Sequence, residues 1–136
     1  MLLKDYGYMN VAKSISLTHE SEAATSNQFS IAGYKEFILF YDATIGLTGG
    51  STPGVTFTLE VDVSGDGEWV AVTTLVTTAN GYTAAAVADP TISTTGKNYK
   101  YYKGLMGFNA RVKYEVSGTP TGGTATINKI SLAATN

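Results

Sequence analysis

Along much of the chain, apolar and polar residues simply alternate. In "VTFTLEVDV" (55–63), Val55, Phe57, Leu59, Val61 and Val63 share one parity and Thr56, Thr58, Glu60 and Asp62 the other. That period of two marks a strand with one buried and one wet face. "NARVKYEVSG" (109–118) repeats it, with Ala110, Val112, Tyr114 and Val116 set inward against Arg111, Lys113 and Glu115. "KEFILFYDA" (35–43) is denser in apolar residues and predicts a strand in the middle of a sheet. Shorter candidates are "KSISLTH", "QFSIAG", "EWVAVTTLV", "YTAAAVA" and "TATINKISLA". The last is out of phase with itself: Ala125 and Ile127 lie on one parity, Ile130 and Leu132 on the other. A bulge near Asn128–Lys129 restores a common face.

Clusters rich in Gly, Thr, Ser and Pro separate these runs, at 45–54, 79–81, 93–98 and 117–123. No amphipathic helical period appears, and no internal repeat. Short strands joined by such turns, without helical crossovers, predict an all-β fold: a two-sheet antiparallel β-sandwich. Eight or nine strands favour a jelly-roll-like arrangement over an immunoglobulin-like one, which the missing Cys…Trp…Cys spacing also disfavours. The first residues, "MLLKDYGYMNVA", have no clear period, so 1–12 reads as a short N-terminal arm and 13–136 as a single sandwich domain. An arm of this kind either tucks under the sandwich or docks on a neighbouring subunit.

One stretch invites a metal. In "VDVSGDGEWVAV" (61–72), Asp62, Ser64 and Asp66 stand at the first, third and fifth positions of a calcium loop, with Gly67 at the sixth. The twelfth position, however, is Thr73, which cannot supply a bidentate carboxylate, and residues 69–72 read as strand where the motif wants a helix. Asp-Gly between alternating runs is a strong hairpin signal, so the segment is read as a turn.

Composition narrows the function. Nine Lys and Arg are scattered among eleven Asp and Glu, giving a net charge of −2 and no basic footprint for nucleic acid. Without cysteine there are no disulfides, thiolate nucleophiles or Cys-based zinc sites. No apolar run is long enough to span a bilayer, and the start of the chain does not read as a signal peptide. His19, the one histidine, lies beside Glu20 and Glu22 in "THESE", but a lone titratable ring makes no catalytic set. Glu60 and Glu115 sit on outward strand faces, and "LTGGSTPG" lacks the Lys-Ser/Thr ending of a phosphate loop. Neither an enzyme nor a cofactor is expected.

The aromatic residues carry more information. Nine of the fourteen Phe and Tyr are Tyr, and "NYKYYKGLMGF" (98–108) sets Tyr99, Tyr101, Tyr102 and Phe108 among Lys97, Lys100 and Lys103. Such a run is either a recognition platform or an edge strand whose lysines discourage sheet-to-sheet pairing. The edge-strand reading turns Tyr99 and Tyr101 inward and leaves Tyr102 and Phe108 open.

"VTFTLEVDVSGDGEWVAVTTLV" followed later by "FNARVKYEVSGTPTGGTATINKISL" resembles the small β-sandwich structural proteins of tailed bacteriophages, most closely jelly-roll capsid decoration (cement) proteins. The resemblance implies a virion structural protein made in the host cytoplasm, sitting on the capsid surface. Its partner would be the major capsid protein, or another virion protein, and it would be a homo-oligomer, with a trimer favoured at sites of local threefold symmetry. The expected contact elements are the arm residues Leu2, Leu3, Tyr6, Tyr8 and Met9, Tyr102 and Phe108, and flexible loops at 45–54 and 117–123. Deleting residues 2–9 is expected to weaken attachment or assembly and leave the β spectrum intact. Two other classes compete. One is a carbohydrate-binding or adhesin module using Tyr99, Tyr102 and Trp69; the other is a cupin-like enzyme, which a single histidine disfavours.

Overall fold

The alternating runs become strands, and the polarity of each run decides which face meets the core. The structure, a computed structural model, describes residues 6–34, 36–62, 64–86, 90–103 and 109–135, with the side chains of 6–8, 73–78, 82–86 and 135 outside the description. Its strands are β1 (Tyr6–Thr18), β2 (Ala24–Thr25), β3 (Phe29–Ser30), β4 (Glu36–Thr48), β5 (Gly54–Asp62) and β6 (Trp69–Ala71). They continue as β7 (Thr73–Thr78), β8 (Gly81–Ala86), β9 (Thr91–Ile92), β10 (Gly96–Lys103), β11 (Asn109–Ser117) and β12 (Gly122–Thr135).

One sheet has the order β1-β12-β4-β10, the other β2-β11-β5-β6, with β3 also on β11 and β9 also on β5. Every pair is antiparallel. The breaks in the second sheet are bridged. Ser26 bonds to Val112 through both its amide (2.8 Å) and its hydroxyl (2.9 Å), which joins β2 to β3 along one edge of β11. On the outer edge of β5, Val72 N donates to Leu59 O and Phe57 N to Pro90 O, so β6 and β9 are one interrupted strand. Between them the chain leaves as the β7–β8 hairpin, which pairs with neither sheet. With those two interrupted strands each taken as one, the first strand lies beside the last and the chain crosses between the sheets in jelly-roll order.

The sheets meet through the inward parity predicted for β4, β5, β11 and β12. Tyr41 on β4 stacks on Phe57 of β5, centroids 4.3 Å apart, and Leu39, Leu59, Ile127, Ile130, Val55 and Val112 are fully buried around them. Each such side chain contributes about 1.5–3 kcal/mol by leaving water. The expected bulge is present: Ile127 pairs with Ala43 and Lys129 with Asp42, so Asn128 is the extra residue in β12. Its Nδ2 donates to Asp42 Oδ1 (3.2 Å) and Thr44 Oγ1 (3.1 Å). Strand β1 keeps step with β12 across the bend, where Ser14 takes φ 55°.

Two expectations change. Residues 6–12, read as arm, form the first half of β1, with Tyr6 opposite Thr135 and Asn10 opposite Ser131. The reason is the length of β12, which runs on to Thr135 with β4 on one side and would otherwise leave its other backbone edge unpaired. A shift between Asn10 and Ala12 absorbs the missing alternation. "EWVAVTTLV" is not one strand: 69–71 pair with β5, whereas 73–78 pair with β8.

Candidate functional site: the outer face of the four-stranded sheet

Strand β10 is an edge strand whose pattern is inverted. Its inward parity carries Asn98 and Lys100, both half-buried, and only Tyr102 is fully inside, 4% exposed and stacked on Phe37 at 5.2 Å. Its outward parity carries Tyr99 (63% exposed) and Tyr101 (47%). This reverses the expectation for Tyr99 and Tyr101, and it removes Tyr102 from any surface or interface. Register is the cause: Tyr102 lies opposite Phe37, an inward residue of β4, so odd-numbered residues of β10 must face out.

On that outer face the strands set side chains in rows. Tyr101 lies opposite Ile38, which lies opposite Ala133. The next row runs Tyr99, Phe40, Ser131, Asn10, and the row after it Lys97, Asp42, Lys129, Lys13. Phe40 is 43% exposed and its ring lies 6.2 Å from that of Tyr99. The Tyr101 hydroxyl donates to the Glu36 carboxylate. Ser131 is buried and its Oγ bonds Asn10 Oδ1 at 3.3 Å. A cavity of about 190 Å³ opens between the aromatic and lysine rows, lined by Phe40, Tyr41, Asp42, Lys97, Lys129 and Ser131. Asp42 is held by Asn128, and among the described residues no lysine closes an ion pair with it.

The other face is finished in the ordinary way. Arg111 Nε donates to Glu60 Oε1 at 2.9 Å, and its guanidinium lies 4.3 Å above the Trp69 ring. One face of Trp69 is therefore covered rather than offered to a sugar.

Residues 64–67 bend the chain as a turn between β5 and β6. Asp62 is buried, its Oδ1 accepting from Gly65 N (2.9 Å) and its Oδ2 from Gly67 N (3.0 Å), so both oxygens hold backbone amides. Asp66 Oδ1 accepts from Glu68 N at 3.1 Å; that bond, then one from Ser64, holds its carboxyl below the ordinary value. The described residues contain no cluster of three or more His, Cys, Asp or Glu able to hold a metal. His19 Nε2 stands 3.8 Å from Glu20 Oε1, both on the β1–β2 connection.

The loops expected to be flexible are zipped together. Ser51 N donates to Gly118 O (2.8 Å) and Thr121 N to Thr48 O (2.9 Å). Thr52 (φ 48°) and Thr119 (φ 50°) are held in the left-handed region, a strained state for β-branched residues. Of the expected contact residues, Leu2, Leu3 and Phe108 lie outside the described residues. Tyr6 and Tyr8 are placed by backbone only, Tyr8 opposite Ala133, and Met9 is 43% exposed. Sequence reasoning missed Phe40, Asp42, Lys129 and Ser131, which register alone brings together. For Phe40 a signal existed, since it has the opposite parity to Phe37, Leu39 and Tyr41.

No protein-family model matches the chain, and no curated protein matches it. Its fold is similar to that of a chain in the structure of infectious bursal disease virus, Gx strain, at a TM-score of 0.55 and 11% identity. The match covers 96% of this chain and 32% of that one, so this chain spans about a third of the length of the structure it resembles. At that identity the likeness carries the fold alone: an all-β sandwich.

Proposed function

We propose that this chain is a virion structural protein, a capsid decoration protein of the kind tailed bacteriophages carry, which works by covering and joining other protein surfaces and is not an enzyme. The observation that carries the proposal is the fold likeness over 96% of the chain to part of a chain from a virus structure. The sequence resemblance described above points the same way. In this proposal the chain is made in the host cytoplasm, binds the major capsid protein on the outside of the head, and forms a trimer around local threefold sites.

The zipped loops are the favoured attachment surface. Residues 43–59 and 116–128 contain no charged side chain, so contact there strips water from no ion. A loop pair already pinned by backbone bonds also loses little conformational freedom on docking. The N-terminal residues are the second contact. A deletion that spares β1 must stop at residue 5, because Tyr6–Met9 pair with β12.

The test sizes the purified protein by light scattering, then mixes it with empty heads assembled from the capsid protein of the same virus and images them. A trimer on the shell is expected, released by Ser51→Lys with Thr119→Lys and weakened by deletion of residues 2–5. A folded protein that leaves the heads bare refutes decoration.

A further inference from the structure

We infer that the cavity between β10, β4 and β12 binds a saccharide bearing an acidic group. It lies on a sheet face rather than among the zipped loops, so the inference does not depend on capsid attachment.

Three features converge there. First, the space is small. At about 190 Å³ it falls below the ~300–1,000 Å³ typical of sites for drug-sized ligands, and it suits one ring. Second, its wall is aromatic where an outer sheet position is normally polar. Phe40 lines it, and the exposed ring of Tyr99, outside the lining but 6.2 Å from that of Phe40, extends the apolar surface offered to the C–H face of a pyranose. Third, its charge is unbalanced. Lys97, Lys129 and Lys13 share a row with the single carboxylate of Asp42, which Asn128 already holds. Ammonium groups without a closed ion pair leave the cavity positive and attract an anion. The half-buried Asp42 adds a carboxylate that can accept from a ring hydroxyl.

The chemistry selects among ligands. A neutral sugar would use the rings and leave the lysines idle. An acidic peptide or a bare anion would use the lysines and leave Tyr99 idle. A sugar ring carrying an anionic group, such as a carboxylate or a sulfate, engages both.

The experiment titrates the full chain, followed by amide chemical shifts, with sialyllactose, digalacturonic acid, a sulfated disaccharide, lactose as the neutral control, and a hexaglutamate peptide. At least one acidic sugar is expected to bind saturably, about tenfold or more tighter than lactose (about 1.4 kcal/mol), and more weakly as salt rises. The carboxylated and sulfated arms identify the anion. Lys97→Gln with Lys129→Gln, and separately Tyr99→Ala, should each weaken binding about tenfold. Lys103→Gln, beyond the aromatic band, should not change it. All these side chains are exposed, so unchanged circular dichroism separates lost binding from lost folding. Absence of saturable binding by every acidic sugar overturns the inference. Lactose binding as tightly overturns it too, and so does hexaglutamate binding as tightly with no response to Tyr99→Ala.

Discussion

Deleting Asn128 tests whether β12 needs its extra residue. Without it, the segments on either side of the bulge cannot both keep their inward parity against β4, because one residue of slip turns a strand over. Either Ile130, Leu132 and Ala134 turn outward, or Ala125 and Ile127 do; all five are at most 4% exposed. The second slip is the smaller loss. Exposing Ile127 costs about 1.5–3 kcal/mol, and turning the Thr124 and Thr126 hydroxyls inward costs about 1–3 kcal/mol each where no partner meets them. The sum, about 4–9 kcal/mol, is most of the ~5–15 kcal/mol that holds a domain together. Asn128→Ala keeps the bulge and loses only the side-chain bonds to Asp42 and Thr44, about 0.5–1.5 kcal/mol each. Urea unfolding, read by far-ultraviolet circular dichroism and by the fluorescence of Trp69, the sole tryptophan, measures both variants. A deletion variant within about 1 kcal/mol of the alanine variant would show that the bulge does not set the register.

Gly118 and Gly67 have nearly the same positive φ, 84° and 86°, but a Cβ on Gly118 would stand 2.6 Å from Ser51 O whereas one on Gly67 meets nothing within 4 Å. Gly67→Ala should therefore cost about 1 kcal/mol of backbone strain, and Gly118→Ala more than twice that as the two loops are forced apart; equal losses in urea would contradict the zipped-loop geometry. The Asp66 carboxyl, held below its ordinary 3.8 by the Glu68 amide and the Ser64 hydroxyl, should titrate lower in the folded than in the unfolded chain. Its contribution is then complete above the unfolded value and is lost as pH falls through the folded one. Ser64→Ala should raise that folded value in a carboxyl NMR titration, and an unmoved value would remove Ser64 as a cause.

Much of the sandwich was legible because burial and period coincide. In β5 and β11 every inward position is apolar and every outward one polar, so parity alone assigns the faces, and the phase slip in "TATINKISLA" located the bulge. Local pattern failed where a partner decides. Nothing between Ala71 and Thr73 marks a turn, yet pairing passes there from β5 to β8. The beginning of β1 lacks alternation and is a strand because β12 offers it an edge. The candidate site was the least legible part. Its rows join residues from the two ends of the chain, Asn10 to Ser131 and Lys13 to Lys129, and only strand register sets them side by side.

The two outer faces of the sandwich differ in what they expose. On the six-stranded sheet the outward residues of β5 and β11 are polar, Glu60 is paired with Arg111, and the large aromatic there, Trp69, lies under that arginine. On the four-stranded sheet, Phe40, Tyr99 and Tyr101 are exposed together. Strand β10 gains from its outward aromatics, since Tyr99 packs beside Phe40 across the strand pair and the Tyr101 hydroxyl bonds Glu36 of β4, each such cross-strand pair contributing about 0.2–1 kcal/mol. The aromatic band is not needed to protect the sheet edge. Two β10 edges meeting antiparallel about Lys100 would set Lys97 against Lys103, a repulsion that discourages such pairing without help from the tyrosines. The exposed rings thus add cross-strand contacts to the sheet and also present an apolar band, the feature on which the proposed saccharide contact rests.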